Sequence, residues 1–140
     1  MSTVQKCRQS LEEEIRRVVI HFEKEFMGRG PLEAQAYVLD DMILVRLKGV
    51  LTPAEQKLAK SNSSRSGYLL KQVRNELLTS GRPMLEALLR DILKVDVQSV
   101  HTDISTKTGE RVIVFTLDKS LELSRDSNGS RHGCQVTQIE

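Results

Sequence analysis

Apolar residues recur at steps of three and four in the long stretches of this chain and alternate with polar ones in the short stretches between. From Thr3 to Met27, Val4, Cys7, Leu11, Ile15, Val18, Phe22 and Phe26, with Val19 beside them, fall on one side of a helix. The other side carries Glu12, Glu13, Arg16, Arg17, Glu23 and Lys24, with Glu12/Arg16 and Glu13/Arg17 spaced for ion pairs. Gly28-Arg29-Gly30-Pro31 ends that helix. Glu33–Leu39 and Met42–Lys48 alternate as strands, with Ala34, Ala36 and Val38 on one face of the first and Ile43, Val45 and Leu47 on one face of the second. Asp40-Asp41 is the turn between them.

Thr52-Pro53-Ala54-Glu55 is a capping box with proline at the first helical position, so a short helix is expected over Pro53–Ala59. The polar run Ser61–Gly67 reads as a loop. Tyr68–Leu93 is the second long helical stretch. Leu70, Val73, Leu77, Met84, Leu88 and Ile92 form its stripe, flanked by Leu69, Leu78, Leu85, Leu89 and Leu93, and this stripe is expected to be the wall against which a sheet packs. Gly81-Arg82-Pro83 interrupts it, and the favoured reading is a break with Pro83 opening a second, collinear helix; a hinge is the alternative. Val97–Ser105 and Arg111–Leu117 follow as a strand pair across the turn Thr106–Glu110.

From Ser120 onward the pattern dissolves, so one domain over residues 1–121 and a disordered tail over 122–140 are expected. The fold class is α+β in the order α-β-β-α-α-β-β, with antiparallel hairpins packed on helices and able to join as one sheet. The first helix is amphipathic enough to close its own core or to pair with a second copy, and the former is favoured.

Composition narrows function by exclusion. The 140 residues hold 21 Lys+Arg against 19 Asp+Glu, a net charge of +2, which is too balanced to imply nucleic acid or an anionic membrane. Aromatics make up only 4%, leaving no stacking platform for single strands. No stretch approaches a membrane span, and Met1–Gln5 does not open a secretory signal. Cys7 and Cys134, at opposite ends, form neither a disulfide framework nor a metal pair, and a cytoplasmic location is expected.

No catalytic constellation and no cofactor fingerprint is present. His101 and Asp103 lie two apart on one strand, with Lys107, Glu110 and Arg111 nearby, forming the densest titratable group. The bland reading, an exposed sheet face with cross-strand ion pairs, outweighs acid/base chemistry there. Arg29, Arg46, Arg82, Lys107 and Arg111, near turns or on strand faces, join His101 and Asp103 as candidate anion- or ligand-binding positions. His21 with Glu25, and His132 with Cys134, are weak metal signals, and no metal site is assigned.

Ile104-Ser105-Thr106-Lys107-Thr108-Gly109-Glu110-Arg111-Val112-Ile113-Val114-Phe115-Thr116-Leu117 resembles the MpsC-like family. Gly28-Arg29-Gly30-Pro31, Leu44–Glu55 and Gly81-Arg82-Pro83 share in the resemblance, which spans about Thr3 to Leu121. The resemblance implies a bacterial, cytoplasmic protein tied to a membrane system that generates a sodium-dependent membrane potential, related to inorganic-carbon uptake. It supplies no catalytic residues. With no span of its own, the chain cannot form an ion path, so the resemblance speaks of partners. The expectation is a non-enzymatic accessory or regulatory protein, homodimeric, acting on membrane transport subunits. A small-ligand or anion-sensing domain is the alternative.

Overall fold

In a computed structural model the described residues are 7–61, 64–121 and 123. The order is α1 (Arg8–Met27), β1 (Glu33–Leu39), β2 (Met42–Lys48), α2 (Pro53–Ala59), α3 (Ser64–Leu93), β3 (Val97–Ile104) and β4 (Arg111–Leu117). The hairpins join into one antiparallel four-stranded sheet in the order β1-β2-β4-β3. The expected class and element order therefore hold.

Alternation sends Ala34, Ala36 and Val38 of β1, Ile43, Val45 and Leu47 of β2, and Ile113, Phe115 and Leu117 of β4 onto one face, where all are buried. Both long helices cover that face. α1 packs on β1 and α3, and α3 packs on β3 and α2. Leu11, Ile15, Val19 and Phe22 of α1 enter the core, so this helix closes its own domain. Turn chemistry agrees with the sequence: Asp40 sits at φ 56° in the β1–β2 turn, and Gly109 at φ 74° in the β3–β4 turn. α2 has the full capping box, with the Glu55 N–H donating to Thr52 Oγ1 at 3.2 Å and the Thr52 N–H donating to Glu55 Oε1 at 2.9 Å.

The structure corrects the reading of the second long stretch. α3 is one helix from Ser64 to Leu93 that holds Pro83 inside it. It takes in Ser64–Gly67 from the expected loop, while residues 62 and 63 lie outside the described set. Its buried row is Leu70, Arg74, Leu78, Leu85, Leu89 and Leu93, which is largely the flanking row of the sequence pattern. Val73 and Met84, expected in the wall, are 55% and 37% exposed. The helix stays unbroken because Gly81 is where α1 crosses it: a Cβ there would stand 2.6 Å from Phe22 Cε1 and 3.0 Å from Phe26 Cδ1. That contact seats α3 on α1 next to Pro83, and packing overrides the local preference for a break.

In β3 a bulge between Val97 and Ser99 pairs Val97 with Leu117 and Ser99 with Thr116. Val97 therefore sides with the core, not with Ser99, His101 and Asp103 as strict alternation predicts. The residues expected to form a tail, 122 and 124–140, lie outside the described set. Leu121 and Leu123 pack against the core.

Candidate functional site

The seven candidate positions do not converge. Arg29 reaches the Gly49 carbonyl at 3.4 Å. Arg82 donates to Glu86 on its own helix at 3.3 Å. Arg46, on the sheet face away from the helices, pairs with Glu110 at 2.6 Å. His101 and Asp103 project from the same open face; the His101 ring touches the Ser99 hydroxyl at 3.1 Å, and Asp103 pairs with Lys71 at 3.4 Å. Asp103 also accepts the Ile104 N–H at 2.8 Å, which with Lys71 holds its carboxyl below the usual range. Asp103 and Lys107 do share a shallow depression of about 390 Å³ with Lys71, Thr106 and Glu110. Ion pairs of both signs line it, in keeping with the reading of an exposed face.

Arg111 is the exception, and its placement overturns the grouping with His101. As the first residue of β4 it shares the inward face with Ile113 and Phe115 and is 1% exposed. There it meets two further buried charges. Glu23 of α1, expected on the polar side of its helix, is 1% exposed, and Arg74 of α3 is 2% exposed. Arg74 donates Nε to Glu55 Oε2 at 2.8 Å and Nη2 to the Val50 carbonyl at 2.8 Å, and it forms a short second bond to Glu55 Oε1. Arg111 Nη2 donates to Asn75 Oδ1 at 3.3 Å, while its Nε and Nη1 and Glu23 Oε2 have no hydrogen-bond partner.

The electrostatics follow from burial. Burial pushes the Glu23 carboxyl up, against the pull of Arg111 and Arg74. Burial likewise pushes Arg111 down, against the Glu23 charge. Burial opposes ionisation of Glu55 too, but the Arg74 guanidinium and the Thr52 amide outweigh it and hold that carboxyl low. A dense, enclosed set of alternating charges joins α1, α2, α3 and β4. Its contacts tie α2 and the segment after β2 to α3 through Arg74, and α3 to β4 through Arg111 and Asn75. Glu23 and Arg74 escaped sequence reading because each is a charged residue in a helical repeat; the one available signal is that Arg74 sits in phase with Leu70, Leu78 and Leu85.

Other expectations resolve locally. Glu12 and Arg16 do not pair; Arg16 Nε donates to the Ala34 carbonyl at 3.0 Å, and Glu12 accepts the Val38 N–H at 2.8 Å. Glu13 and Arg17 do pair, at 3.4 Å. Cys7 is buried as expected but is disulfide-bonded; Cys134, the chain's other cysteine, lies outside the described residues, as does His132. Among the described residues no group of three or more His, Cys, Asp or Glu could hold a metal ion. Among them, too, no helix is long and apolar enough to cross a membrane.

These features define a small α+β domain with helices on one face of an antiparallel sheet and an enclosed charge cluster between them. The chain belongs to the family described as Na+-translocating membrane potential-generating system (MpsC), whose model matches residues 7–119. It is 42% identical over 120 residues to the uncharacterized protein YbcI of Bacillus subtilis (strain 168), covering 85% of this chain and 94% of that one. No solved structure matches the chain.

Proposed function

We infer that this protein is a non-enzymatic accessory of a membrane transport system, one that generates a sodium-dependent membrane potential or takes up inorganic carbon, and that it acts from the cytoplasmic side. The observation that carries this reading is the apolar ridge that α3 leaves uncovered. Leu69, Val73 and Met84 are exposed large hydrophobic residues along the helix, with Leu77 and Leu88 half-buried in the same line. Contiguous exposed apolar surface of this kind marks a protein contact. A helix face with anchors three and four residues apart suits an amphipathic segment of a partner. The family description supplies the kind of partner, a subunit of the membrane system.

The test is affinity capture of the intact chain from detergent-solubilised membranes, with the retained proteins identified by mass spectrometry. A transport subunit is expected on the wild type and is lost with Val73→Glu plus Met84→Glu. Capture of no membrane subunit by the wild type removes the reading, and equal capture by the variant removes this surface from it. Location is checked separately by alkylating thiols in intact cells. The cytoplasmic placement requires the disulfide at Cys7 to be open in the cell, and an oxidised Cys7 before lysis argues for another compartment.

A further inference from the structure

The sheet has β1 at one edge and β3 at the other, and they are treated differently. On β1, α1 occupies the free backbone groups: Arg16 holds the Ala34 carbonyl and Glu12 holds the Val38 N–H. These bonds block addition of another strand. On β3 the reach of a helix is slighter: Lys71 of α3 meets the Asp103 side chain at 3.4 Å and leaves the backbone groups free for another strand. The Ser105 N–H donates to the Glu110 carbonyl at 2.8 Å, which sets the ladder phase. Ser99, His101 and Asp103 therefore bond to β4, and Val100, Thr102 and Ile104 turn their N–H and C=O groups outward. Among the described residues no strand lies beyond β3. Among the described residues the Asp103 carboxylate covers the Ile104 N–H, a local bond that another acceptor can replace.

We propose that the β3 edge pairs with the β3 edge of a second copy, antiparallel about a two-fold axis at Thr102, to give one sheet continuous through both molecules. An isologous contact of this kind must be self-complementary. With the axis at Thr102, Thr102 faces the second copy's Thr102 and Val100 faces the second copy's Ile104, so that outward N–H and C=O groups meet in bonded pairs. Between those pairs, on the exposed face, His101 faces the second copy's Asp103, and the symmetry repeats this contact. Thr–Thr and opposite-charge neighbours are favourable cross-strand pairs.

The neighbouring registers lack this match. A shift by two residues one way sets His101 against His101, and the other way sets Asp103 against Asp103, like groups directly opposed. The charge pattern thus selects a second copy, and it selects one register. In the pair, the Ile104 N–H passes to the second copy's Val100 carbonyl, and the Asp103 carboxylate exchanges its exposed pairing with Lys71 for the second copy's His101. The bulge at Val97/Ser99 ends the pairing on that side.

The contact is short, so association is to be followed by sedimentation velocity and light scattering from about 1 to 100 µM. The full chain is expected to form a dimer in this range. Thr102→Pro removes an outward N–H that serves no bond within the molecule and is expected to abolish the dimer while leaving the circular dichroism spectrum unchanged. His101→Asp sets like charges opposite each other at both symmetric contacts and is expected to weaken association roughly tenfold. Exchanging the two residues, His101→Asp with Asp103→His, restores the match and is expected to recover the wild-type constant. A chain that stays monomeric at about 100 µM overturns the proposal. So does a dimer insensitive to Thr102→Pro, or an exchange variant that associates no better than His101→Asp alone.

Discussion

Replacing Arg111 by Met removes the one cation that Glu23 faces from the sheet. The methionine fills much of the arginine's volume beside Leu47 and on the face of Ile113, so the change is mainly one of charge. Breaking a buried charge pair by removing one partner costs about 3–5 kcal/mol, because the other is left in the core uncompensated. Glu23 can relieve part of this by taking up a proton, which places the expected loss near 3 kcal/mol. Glu23→Leu leaves Arg111 charged at every accessible pH, since a guanidinium has no such escape, and its loss is expected to be the larger. The double variant, Glu23→Leu with Arg111→Met, presents an apolar pair and is expected within about 1 kcal/mol of the wild type, or above it.

The assay is urea unfolding followed by circular dichroism, read as a double-mutant cycle. The sign of the pH dependence is a second check. Burial raises the folded-state affinity of Glu23 for its proton above that of the unfolded chain. Glu23 then favours folding most when protonated in both states, and this contribution is lost as pH rises from the unfolded pKa through the folded one. Arg111→Met raises the folded value further, so its deficit is expected to grow from pH 5 toward 8, while Glu23→Leu removes the effect. Single-variant losses that add in the double variant to within about 0.5 kcal/mol would refute the coupling. A deficit for Arg111→Met that shrinks with rising pH would refute the electrostatic account.

Further expected outcomes concern the helices. Gly81→Leu must push its side chain into Phe22, which is fully buried, and is expected to cost about 1–3 kcal/mol in urea unfolding, more than helix propensity returns. Pro83→Ala gives α3 back the N–H that can bond the Thr79 carbonyl and is expected to stabilise by up to about 3 kcal/mol; a lowered melting temperature would contradict the unbroken helix. Thr52→Ala removes the α2 cap and is expected to cost about 1 kcal/mol. A chain lacking Met1–Met27 loses Leu11, Ile15, Val19 and Phe22 from the core and is expected to be unfolded by circular dichroism; a folded, lower-order species would return α1 to a role between copies.

Strand and turn positions were legible because period-two alternation, Asp-rich turns and the capping box are local signals, and Glu33–Leu39, Met42–Lys48 and Arg111–Leu117 match the sequence reading residue for residue. The face that α3 buries was not. Leucines on several sides of that helix leave the periodicity without a single phase, and the deciding contact, Gly81 against Phe22, joins residues far apart in the chain. The charge cluster was hidden for a related reason. Nothing local marks Glu23 as inward, and although Arg111 alternates in phase with Ile113 and Phe115, it is the register of β4 against β2, with Leu47 beside Arg111, that places its guanidinium beneath the helices. His101 and Asp103 were read correctly as neighbours on an open face, because two residues on one strand need no tertiary information.

The capping box of α2 shares its carboxylate with Arg74, and none of the α2 side chains is buried. This short helix is therefore clasped mainly by charge, with half-buried Ala59 as its apolar contact with the core. Amide exchange at Gln56–Ala59 should outpace that of β2 and β4 by orders of magnitude, and a protease should find this segment first. Since Arg74 also holds the Val50 carbonyl, release of that clasp would loosen the loop leaving β2 while the sheet stays intact. The molecule would thus yield in stages, with a small electrostatically latched flap opening well before the hydrophobic layers part.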